Sequence, residues 1–322
     1  MMNLGKKSFI IPFLCTVYVI TICALSLLSI VIYQKSSSFQ EYSILPPYKS
    51  LAVNTGNLQS ESSTSPSSNS ESTNLPTDGS ETSPSSEENK PQLPPDAPNY
   101  MRLYPEMYGP GHQPGSEVSR DMTLYLTFDD GPSKNTNTVL DILDRYGIKA
   151  TFFVVPNDSQ GCMEHLREIH DRGHTIGVHS KSHDYRAIYK DVESYLNDFS
   201  AAYEIIYQAT GEYPTLFRFP GGSINSYNRE THAEIIQEME RRGFVYFDWN
   251  VSAEDAKNGI TSDEVYQNVI STLGKKKSGV VLMHDSNPRV TTVEALPRII
   301  ETLQERGFQF DRLSNNVHPI IF

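Results

Sequence analysis

Residues 121–132 read DMTLYLTFDDGP, a short apolar run that ends in two aspartates, a glycine and a proline. A run of this length bounded by turn-forming residues is typical of a buried strand in a parallel sheet. The two carboxylates therefore stand at the carboxyl end of that strand. In parallel α/β proteins this end of the sheet carries the binding and catalytic groups.

The same alternation of a short apolar strand and an amphipathic helix continues to the end of the chain. Further strands are predicted at 150–155, 175–179, 216–219, 244–251, 279–284 and 308–313. Helices are predicted at 138–146, 163–171, 192–210, 231–242, 263–273 and 293–306. This repeated order predicts an α/β domain with a parallel sheet, either open or closed into a barrel.

The chain before this domain begins with a candidate membrane anchor. Residues 9–33 are 25 consecutive positions without a charged side chain, enough to cross a bilayer as a helix. Lys6 and Lys7 precede them, which predicts a cytoplasmic N-terminus at 1–8 and an extracellular domain in a single-pass cell-membrane protein. A cleaved secretory signal is the alternative, although its apolar region is usually shorter and no small-residue cleavage site follows.

Residues 34–100 are rich in Ser, Thr, Pro and Glu and contain few large apolar side chains. Such a segment buries too little surface to offset the entropy of ordering it, so we predict a disordered spacer. The folded domain is then expected over 101–322. Whether its first twenty residues pack on the domain or continue the spacer is left open by the sequence.

Charge and cysteine content exclude several classes of protein. The 322 residues include 27 basic and 39 acidic side chains, a net charge of −12, which gives no basic face for nucleic acid. Of three cysteines, Cys15 and Cys23 lie in the apolar stretch and only Cys162 lies in the predicted domain. An intradomain disulfide and an all-thiolate zinc site are therefore excluded.

Ionisable residues follow five of the predicted strands. The polar segments are Asp129-Asp130, His179–His183, Arg218–Gly222, Asp248–Asn250 and His284-Asp285. Each alone has an ordinary explanation, such as a turn, a chance histidine pair, a surface arginine or a buried structural histidine. Their convergence on one edge of a sheet predicts an active site.

Two pairs of histidines are four residues apart. One helical turn between His179 and His183 would aim both rings in the same direction. His170 and His174 are separated by the predicted end of a helix, so we interpret this second pair as structural.

The segments TFDDGP, HSKSH, RFPGGS and LMHD, in this order and on these strands, resemble the NodB-type polysaccharide deacetylases, carbohydrate esterase family four. The similarity covers about 121–313. It implies a distorted (β/α)7 barrel that removes N-acetyl groups from a polysaccharide. It also implies one divalent metal ion, commonly Zn²⁺ with Co²⁺ as an alternative, bound by Asp130, His179 and His183.

The resemblance assigns the remaining steps of the reaction to particular residues. Asp129 matches the catalytic base and Arg218 the arginine that orients it. His284 matches the general acid. Its carboxylate partner is Asp255, with Asp248 as the second choice, although 252–256 reads SAEDA where many members have Asp-x-x-Asp-Trp.

Other matched positions concern the substrate. The backbone N–H of Gly221 is the expected donor to the oxyanion, and Leu282 is expected to line the pocket for the acetyl methyl group. Tyr185 and Trp249 are candidates for stacking on sugar rings, with core packing as the alternative. Gly-Gly at 221–222 replaces bulkier residues of many relatives, which predicts a more open groove.

The predicted substrate is an N-acetylglucosamine polymer just outside the membrane, peptidoglycan in a walled cell. One alternative is a non-catalytic glycan-binding protein on the same scaffold, which would lack a catalytic residue. The other is an O-acetyl esterase acting on a cell-wall or plant glycan, because the metal, water and carbonyl would be the same.

Overall fold

The computed structural model describes residues 93–113 and 121–322. The predicted anchor at 9–33 and most of the predicted spacer at 34–100 lie outside these ranges. Within the two described ranges, no helix has both the length and the apolar character needed to cross a bilayer.

One parallel sheet of eight strands forms the centre of the described structure. The strands are β1 (Thr123–Asp129), β2 (Thr151–Val154), β3 (Thr175–Val178), β4 (Leu216–Phe217), β5 (Val245–Tyr246), β6 (Val251–Ser252), β7 (Ser278–His284) and β8 (Gln309–Phe310). Their order is β5-β4-β3-β2-β1-β7-β6, with β8 beside the start of β1. The long pairing of β1 with β7 sets Asp129 directly opposite His284.

Helices connect these strands and cover the outer face of the sheet. They are α1 (Thr136–Arg145), α2 (Gln160–Asp171), α3 (Tyr185–Ile188), α4 (Val192–Thr210), α5 (His232–Arg241), α6 (Ser262–Leu273) and α7 (Val290–Glu305). The short α3 was not expected from the sequence. The predicted alternation of strands and helices around a parallel sheet is otherwise confirmed.

The predicted strand at 244–251 is wrong, because this stretch forms two strands at opposite edges of the sheet. β5 pairs with β4, whereas β6 pairs with β7. Between them the chain crosses the opening of the barrel, where the N–H of Asp248 donates to the carbonyl of Ile320. No pairing joins β5 to β6 in the described residues, so the sheet is an open half-barrel.

Alternate residues of β1 face opposite sides of the sheet, and this places the first carboxylate. Leu126 and Phe128 are completely buried in the main core beneath the helices. Thr127 and Asp129 point the other way, into the half-barrel, where both accept hydrogen bonds from Arg218. The period of two therefore brings Asp129 to the interior at the end of the strand.

Residues 99–104 pack on the domain, which answers, for this part of the chain before β1, the question that the sequence left open. The guanidinium of Arg242, buried at the end of α5, donates to the carbonyls of Tyr100, Leu103 and Tyr104. Glu238 pairs with Arg242 at 2.7 Å. Residues 99–104 are thus held by hydrogen bonds from a fully buried side chain.

Candidate active site

Asp130, His179 and His183 come together at the carboxyl ends of β1 and β3. One ligand atom from each lies within 4.8 Å of the other two. Oδ1 of Asp130 is 3.2 Å from Nε2 of His183 and 3.6 Å from Nε2 of His179. Burial raises the pKa of Asp130, but the neighbouring histidines outweigh this effect and hold it below its usual range. One carboxylate and two imidazoles form a donor set suited to a divalent metal such as zinc.

The orientation of His179 is fixed by a backbone carbonyl. Its Nδ1 lies 2.9 Å from the carbonyl oxygen of Arg218. Because a carbonyl only accepts, Nδ1 carries the proton and Nε2 keeps its lone pair on the side facing Asp130. This is the tautomer that metal-binding histidines adopt when their second nitrogen is held by the protein.

A tight loop, not the expected helical turn, brings the two imidazoles together. Ser180 and His183 have φ angles of 77° and 54°, in the left-handed region that costs non-glycine residues about 1–3 kcal/mol. Asp198 on α4 accepts hydrogen bonds from the N–H groups of Lys181 and Ser182, which stabilises the loop. The prediction that one helical turn aligns the rings is therefore wrong, although the rings do meet.

Asp129 lies beside this cluster in a fully buried ion pair with Arg218. Nη1 of Arg218 is 2.8 Å from Oδ1 of Asp129. The other carboxylate oxygen, Oδ2, is 3.7 Å from Nε2 of His179. The guanidinium also donates to the carbonyls of Phe247 and Asp248. Several hydrogen bonds of this kind are what make a buried charge tolerable, and they hold Asp129 in one orientation.

His284 and Asp255 form a second charged pair on the other side of Asp129. Nδ1 of His284 donates to Oδ1 of Asp255 at 2.7 Å. Burial lowers the pKa of His284, but the hydrogen bond and charge of Asp255, followed by the charges of Asp129 and Asp130, raise it to about 9. The imidazolium therefore prevails at neutral pH, with Nε2–H as its remaining donor.

Asp255 and Asp248 differ in what they bind. Oδ2 of Asp255 also accepts from the hydroxyl of Thr292. Asp248 is bound instead by the N–H and hydroxyl of Ser223, at 2.8 and 2.5 Å. Of the two carboxylates considered from the sequence, only Asp255 contacts His284.

Gly221 stands next to Tyr185 at the mouth of the site. Its φ is +78°, and a Cβ there would lie 2.7 Å from Cε1 of Tyr185. Within the described residues the N–H of Gly221 donates to no protein acceptor. The ring of Tyr185 is 5.3 Å from that of His183, so this aromatic residue borders the metal-binding cluster.

Leu282 and Trp249 also face the half-barrel. Leu282 precedes His284 by two residues on β7, so both side chains point to the same side of the sheet. Trp249 is partly exposed; its ring packs on Phe322 at 4.9 Å, and the guanidinium carbon of Arg218 is 5.7 Å from its centre. Tyr185, Leu282 and Trp249, the side chains predicted to contact the substrate, therefore all lie around the opening of the half-barrel.

Four supporting residues were not assigned a role from the sequence, and for three of them nothing in the local pattern indicates one. Asp198 binds the loop 179–183 that carries the two histidines (the histidine loop), Thr127 binds Arg218, and Thr292 binds Asp255. Asp285 accepts hydrogen bonds from the hydroxyl of Ser133, in the loop after β1, and from that of Thr136, the first residue of α1, and burial raises its pKa to about 7. Only Asp285 had a signal, its position beside His284.

Known proteins match this combination of fold and site. The polysaccharide deacetylase family model matches residues 117–245. A peptidoglycan-N-acetylglucosamine deacetylase of Bacillus cereus is 32% identical over 204 residues, which cover 62% of this chain and 72% of that protein.

Two solved structures extend the comparison. The catalytic domain of peptidoglycan N-acetylglucosamine deacetylase from Eubacterium rectale is 36% identical, with a TM-score of 0.59 over 63% of this chain and 96% of that one. A family 4 acetyl xylan esterase from Clostridium thermocellum in complex with cobalt is 31% identical, with a TM-score of 0.51 over 59% and 87% of the two chains.

The chain belongs to the polysaccharide deacetylases of carbohydrate esterase family four. Its class is that of hydrolases acting on carbon–nitrogen bonds other than peptide bonds.

Proposed function

We propose that this protein removes N-acetyl groups from N-acetylglucosamine residues of peptidoglycan, releasing acetate and leaving a free amine. The observation that carries the proposal is the meeting of Asp130, His179 and His183 at one point, with Asp129 and His284 on adjacent strand ends beside them. The names of the Bacillus and Eubacterium relatives favour this glycan.

Asp130, His179 and His183 would hold one divalent metal and leave further positions for solvent and substrate, as in catalytic sites. When bound, the metal would polarise the acetamide carbonyl and lower the pKa of a coordinated water. Zn²⁺ suits two nitrogens and one oxygen, and Co²⁺ is the alternative that the Clostridium structure favours.

Asp129 is the proposed base. Its carboxylate takes a proton from the water that attacks the acetamide carbon, while the ion pair with Arg218 holds it in one orientation. The N–H of Gly221 is available to donate to the oxygen that becomes negatively charged. Leu282 provides an apolar wall for the acetyl methyl group.

His284 is the proposed acid. Cleavage of the C–N bond requires a proton on the nitrogen, because an amide anion is a very poor leaving group. Nε2–H of the imidazolium supplies that proton, and Asp255 stabilises the charged ring before the transfer. The products are acetate and an amine on the sugar.

The predicted anchor at 9–33 and spacer at 34–100 suggest where the substrate is met. A flexible segment of this length has an r.m.s. reach on the order of 45 Å, and more if proline and charge extend it. We propose that the domain works outside the cell within this distance of the membrane. Deleting 1–33 should move the protein from the membrane fraction to the soluble fraction.

O-acetyl ester hydrolysis is the second candidate activity, favoured by the similarity to an acetyl xylan esterase. The same carboxylate base and cation would serve an ester. Rates on N-acetylglucosamine oligomers and on acetylated xylan, measured with one preparation, separate the two. A purely glycan-binding role is disfavoured because Asp129, Arg218 and His284 are all present and paired.

The deciding experiment is acetate release by the full-length, Zn²⁺-loaded protein from peptidoglycan. We expect release from the natural protein and at least a 100-fold lower rate from Asp129→Asn, with metal content unchanged. Asp263→Asn, at a surface position, is the matched control and should keep full activity. Absence of acetate from every N-acetylated glycan, with metal bound, would refute the proposal.

A further inference from the structure

The chain after β8 returns to the opening of the half-barrel. Within residues 314–322, Val317 and Ile320 pack on the apolar cluster inside the half-barrel, which includes Leu216. The carbonyl of Ile320 accepts the N–H of Asp248, a residue in the stretch that crosses the opening between β5 and β6. This segment is therefore fixed at the same opening that leads to the proposed catalytic groups.

The side chain of Asp248 joins this segment to the loop that carries Gly221. The carboxylate is completely buried. It accepts hydrogen bonds from the N–H and the hydroxyl of Ser223, and its Oδ2 also accepts from the N–H of Phe322 at 2.9 Å. The aspartate that was the second choice as partner of the proposed acid thus holds Phe322 beside the proposed oxyanion donor.

The ring of Phe322 lies where a side chain at position 222 would stand. A Cβ at Gly222 would be 2.8 Å from Cε2 of Phe322, just as one at Gly221 would be 2.7 Å from Cε1 of Tyr185. An aromatic ring from a distant part of the chain therefore lies against each glycine. The space that the sequence predicted to be open at 221–222 is bordered on both sides by these rings.

Phe322 and Trp249 together form an aromatic wall next to the proposed base. Their ring centres are 4.9 Å apart in an edge-to-face arrangement. The guanidinium carbon of Arg218, which holds Asp129, is 5.7 Å from the centre of the Trp249 ring. Phe322 is 52% exposed and Trp249 is partly exposed, so the wall faces solvent. Exposed aromatic surface beside convergent polar groups suits the apolar C–H groups of a sugar.

We propose that Phe322 is a specificity-determining residue that forms one side of the glycan groove and contacts the sugar unit next to the one that is deacetylated. The choice of an N-acetylglucosamine polymer as the glycan rests on the proposed function. A phenyl ring can neither take nor give a proton. Its contribution is therefore to the binding of the sugar chain and not to the chemical step.

The test compares a glycan with a substrate that contains no sugar. Full-length, Zn²⁺-loaded protein is assayed with the tetrasaccharide of N-acetylglucosamine and with para-nitrophenyl acetate, a small ester that needs the base and the cation but no groove. Phe322→Ala should lower kcat/KM for the tetrasaccharide about ten-fold, mainly through a higher KM, the effect of losing one aromatic contact. Hydrolysis of the small ester should be unchanged. Phe322→Tyr, which keeps the ring, should retain the natural kcat/KM on both substrates.

The matched control is Ile321→Ala, at the neighbouring position. Ile321 is 54% exposed and lines a different cavity, together with Tyr246 and Pro319. It should alter neither rate. Equal kcat/KM for the tetrasaccharide in Phe322→Ala and Ile321→Ala overturns the proposal. An equal fall in hydrolysis of the small ester in Phe322→Ala overturns it as well, because Phe322 would then support the catalytic groups and not contact the sugar.

A binding measurement separates this proposal from the proposed reaction. Trp249 is the one tryptophan of the chain, so its fluorescence reports tetrasaccharide binding at this wall. In Asp129→Asn, where turnover is slow, adding Phe322→Ala should raise the dissociation constant about ten-fold, whereas adding Ile321→Ala should not. If no glycan releases acetate but this difference is found, the proposed reaction fails and the role of Phe322 stands. If acetate is released and the difference is absent, the reverse holds.

Discussion

The pairing of His284 with Asp255 sets the pH range in which the proposed acid is protonated. The pKa of His284 is raised to about 9, so its proton is present at neutral pH and is lost as the pH rises through this value. In Asp255→Asn the negative partner is gone and burial opposes the charged ring. We expect the alkaline limb of the rate–pH profile to move to lower pH, with a lower rate at pH 8.

A bound cation would lower the pKa of His284 both in the natural protein and in Asp255→Asn. The result to measure is therefore the direction in which the alkaline limb moves between the two proteins. Profiles of kcat/KM for Asp255→Asn and the natural protein, each with equal metal content, provide it. Asp263→Asn again serves as the surface control. An unchanged alkaline limb in Asp255→Asn would contradict the role of His284 as the acid.

Gly221 combines a positive φ with a close aromatic neighbour. In Gly221→Ala the new Cβ would lie 2.7 Å from Tyr185, which must then move away from the cluster. We expect kcat to fall at least ten-fold, because the proposed oxyanion donor shifts with the loop. The matched control is Gly259→Ala, at φ +73° with nothing within 4 Å, which should show the backbone cost alone. Equal kcat in both variants would exclude a role for this loop.

Most of the polar side chains predicted for the site lie together in the structure because they directly follow strands of one parallel sheet. The period of two along β1 and β7 determines that Asp129, Leu282 and His284 face the half-barrel. The structure decides between Asp255 and Asp248 as the partner of His284. Both lie close to β6 in the sequence, and only the hydrogen bond from His284 to Asp255 distinguishes them. The role of Asp198 could not be predicted from the sequence, because its hydrogen bonds are to Lys181 and Ser182, which precede it by 17 and 16 residues.

At the scale of elements, the histidine loop depends on α4 as well as on β3. Asp198→Ala removes the acceptor for two backbone N–H groups of the loop, at 2.7 and 2.9 Å. The loop also contains residues in the left-handed region, so we expect it to relax and to bind metal about 10–100-fold more weakly. Competition with a chromophoric chelator measures this affinity.

The control for that prediction lies on the same helix. Asp191 caps α4 by accepting from the N–H of Ser194. Asp191→Ala should lower the free energy of unfolding by about 1 kcal/mol and leave metal affinity unchanged. If both variants bind metal equally, the hydrogen bonds of Asp198 to the loop have no part in positioning the imidazoles.

Helix and strand boundaries agree closely with the sequence where periodicity is strong, as in α4, which matches residue for residue. They disagree at 244–251 because this stretch, FVYFDWNV, is apolar apart from Asp248 and Asn250 and was taken for one strand. The crossing of the barrel opening divides it, and that crossing depends on contacts with the end of the chain, such as the bond between Asp248 and Ile320. The loop at 179–183 was mistaken for a helical turn because backbone φ is not visible in the spacing of two histidines.

At the scale of the whole molecule, a buried arginine joins the segment before β1 to the rest of the domain. Arg242 is 1% exposed and supplies the donors for three carbonyls between Tyr100 and Tyr104. In Arg242→Met these carbonyls lose their partners, while Glu238 keeps its contacts with Arg241. We expect a loss of about 2–4 kcal/mol in the free energy of unfolding and faster proteolysis within 93–113.

Urea unfolding and limited proteolysis of the full chain measure the two effects, and Arg145→Met at the exposed end of α1 is the control. The segment from 93 onward would then be part of the catalytic domain, and the spacer predicted from the sequence would end before it. The active site lies at the carboxyl ends of the strands, whereas Arg242 precedes the start of β5. Acetate release at low temperature should therefore be retained in Arg242→Met. If the free energies of unfolding of Arg242→Met and Arg145→Met agree within about 0.5 kcal/mol, this segment contributes little to the stability of the domain. The predicted spacer would then effectively continue to β1.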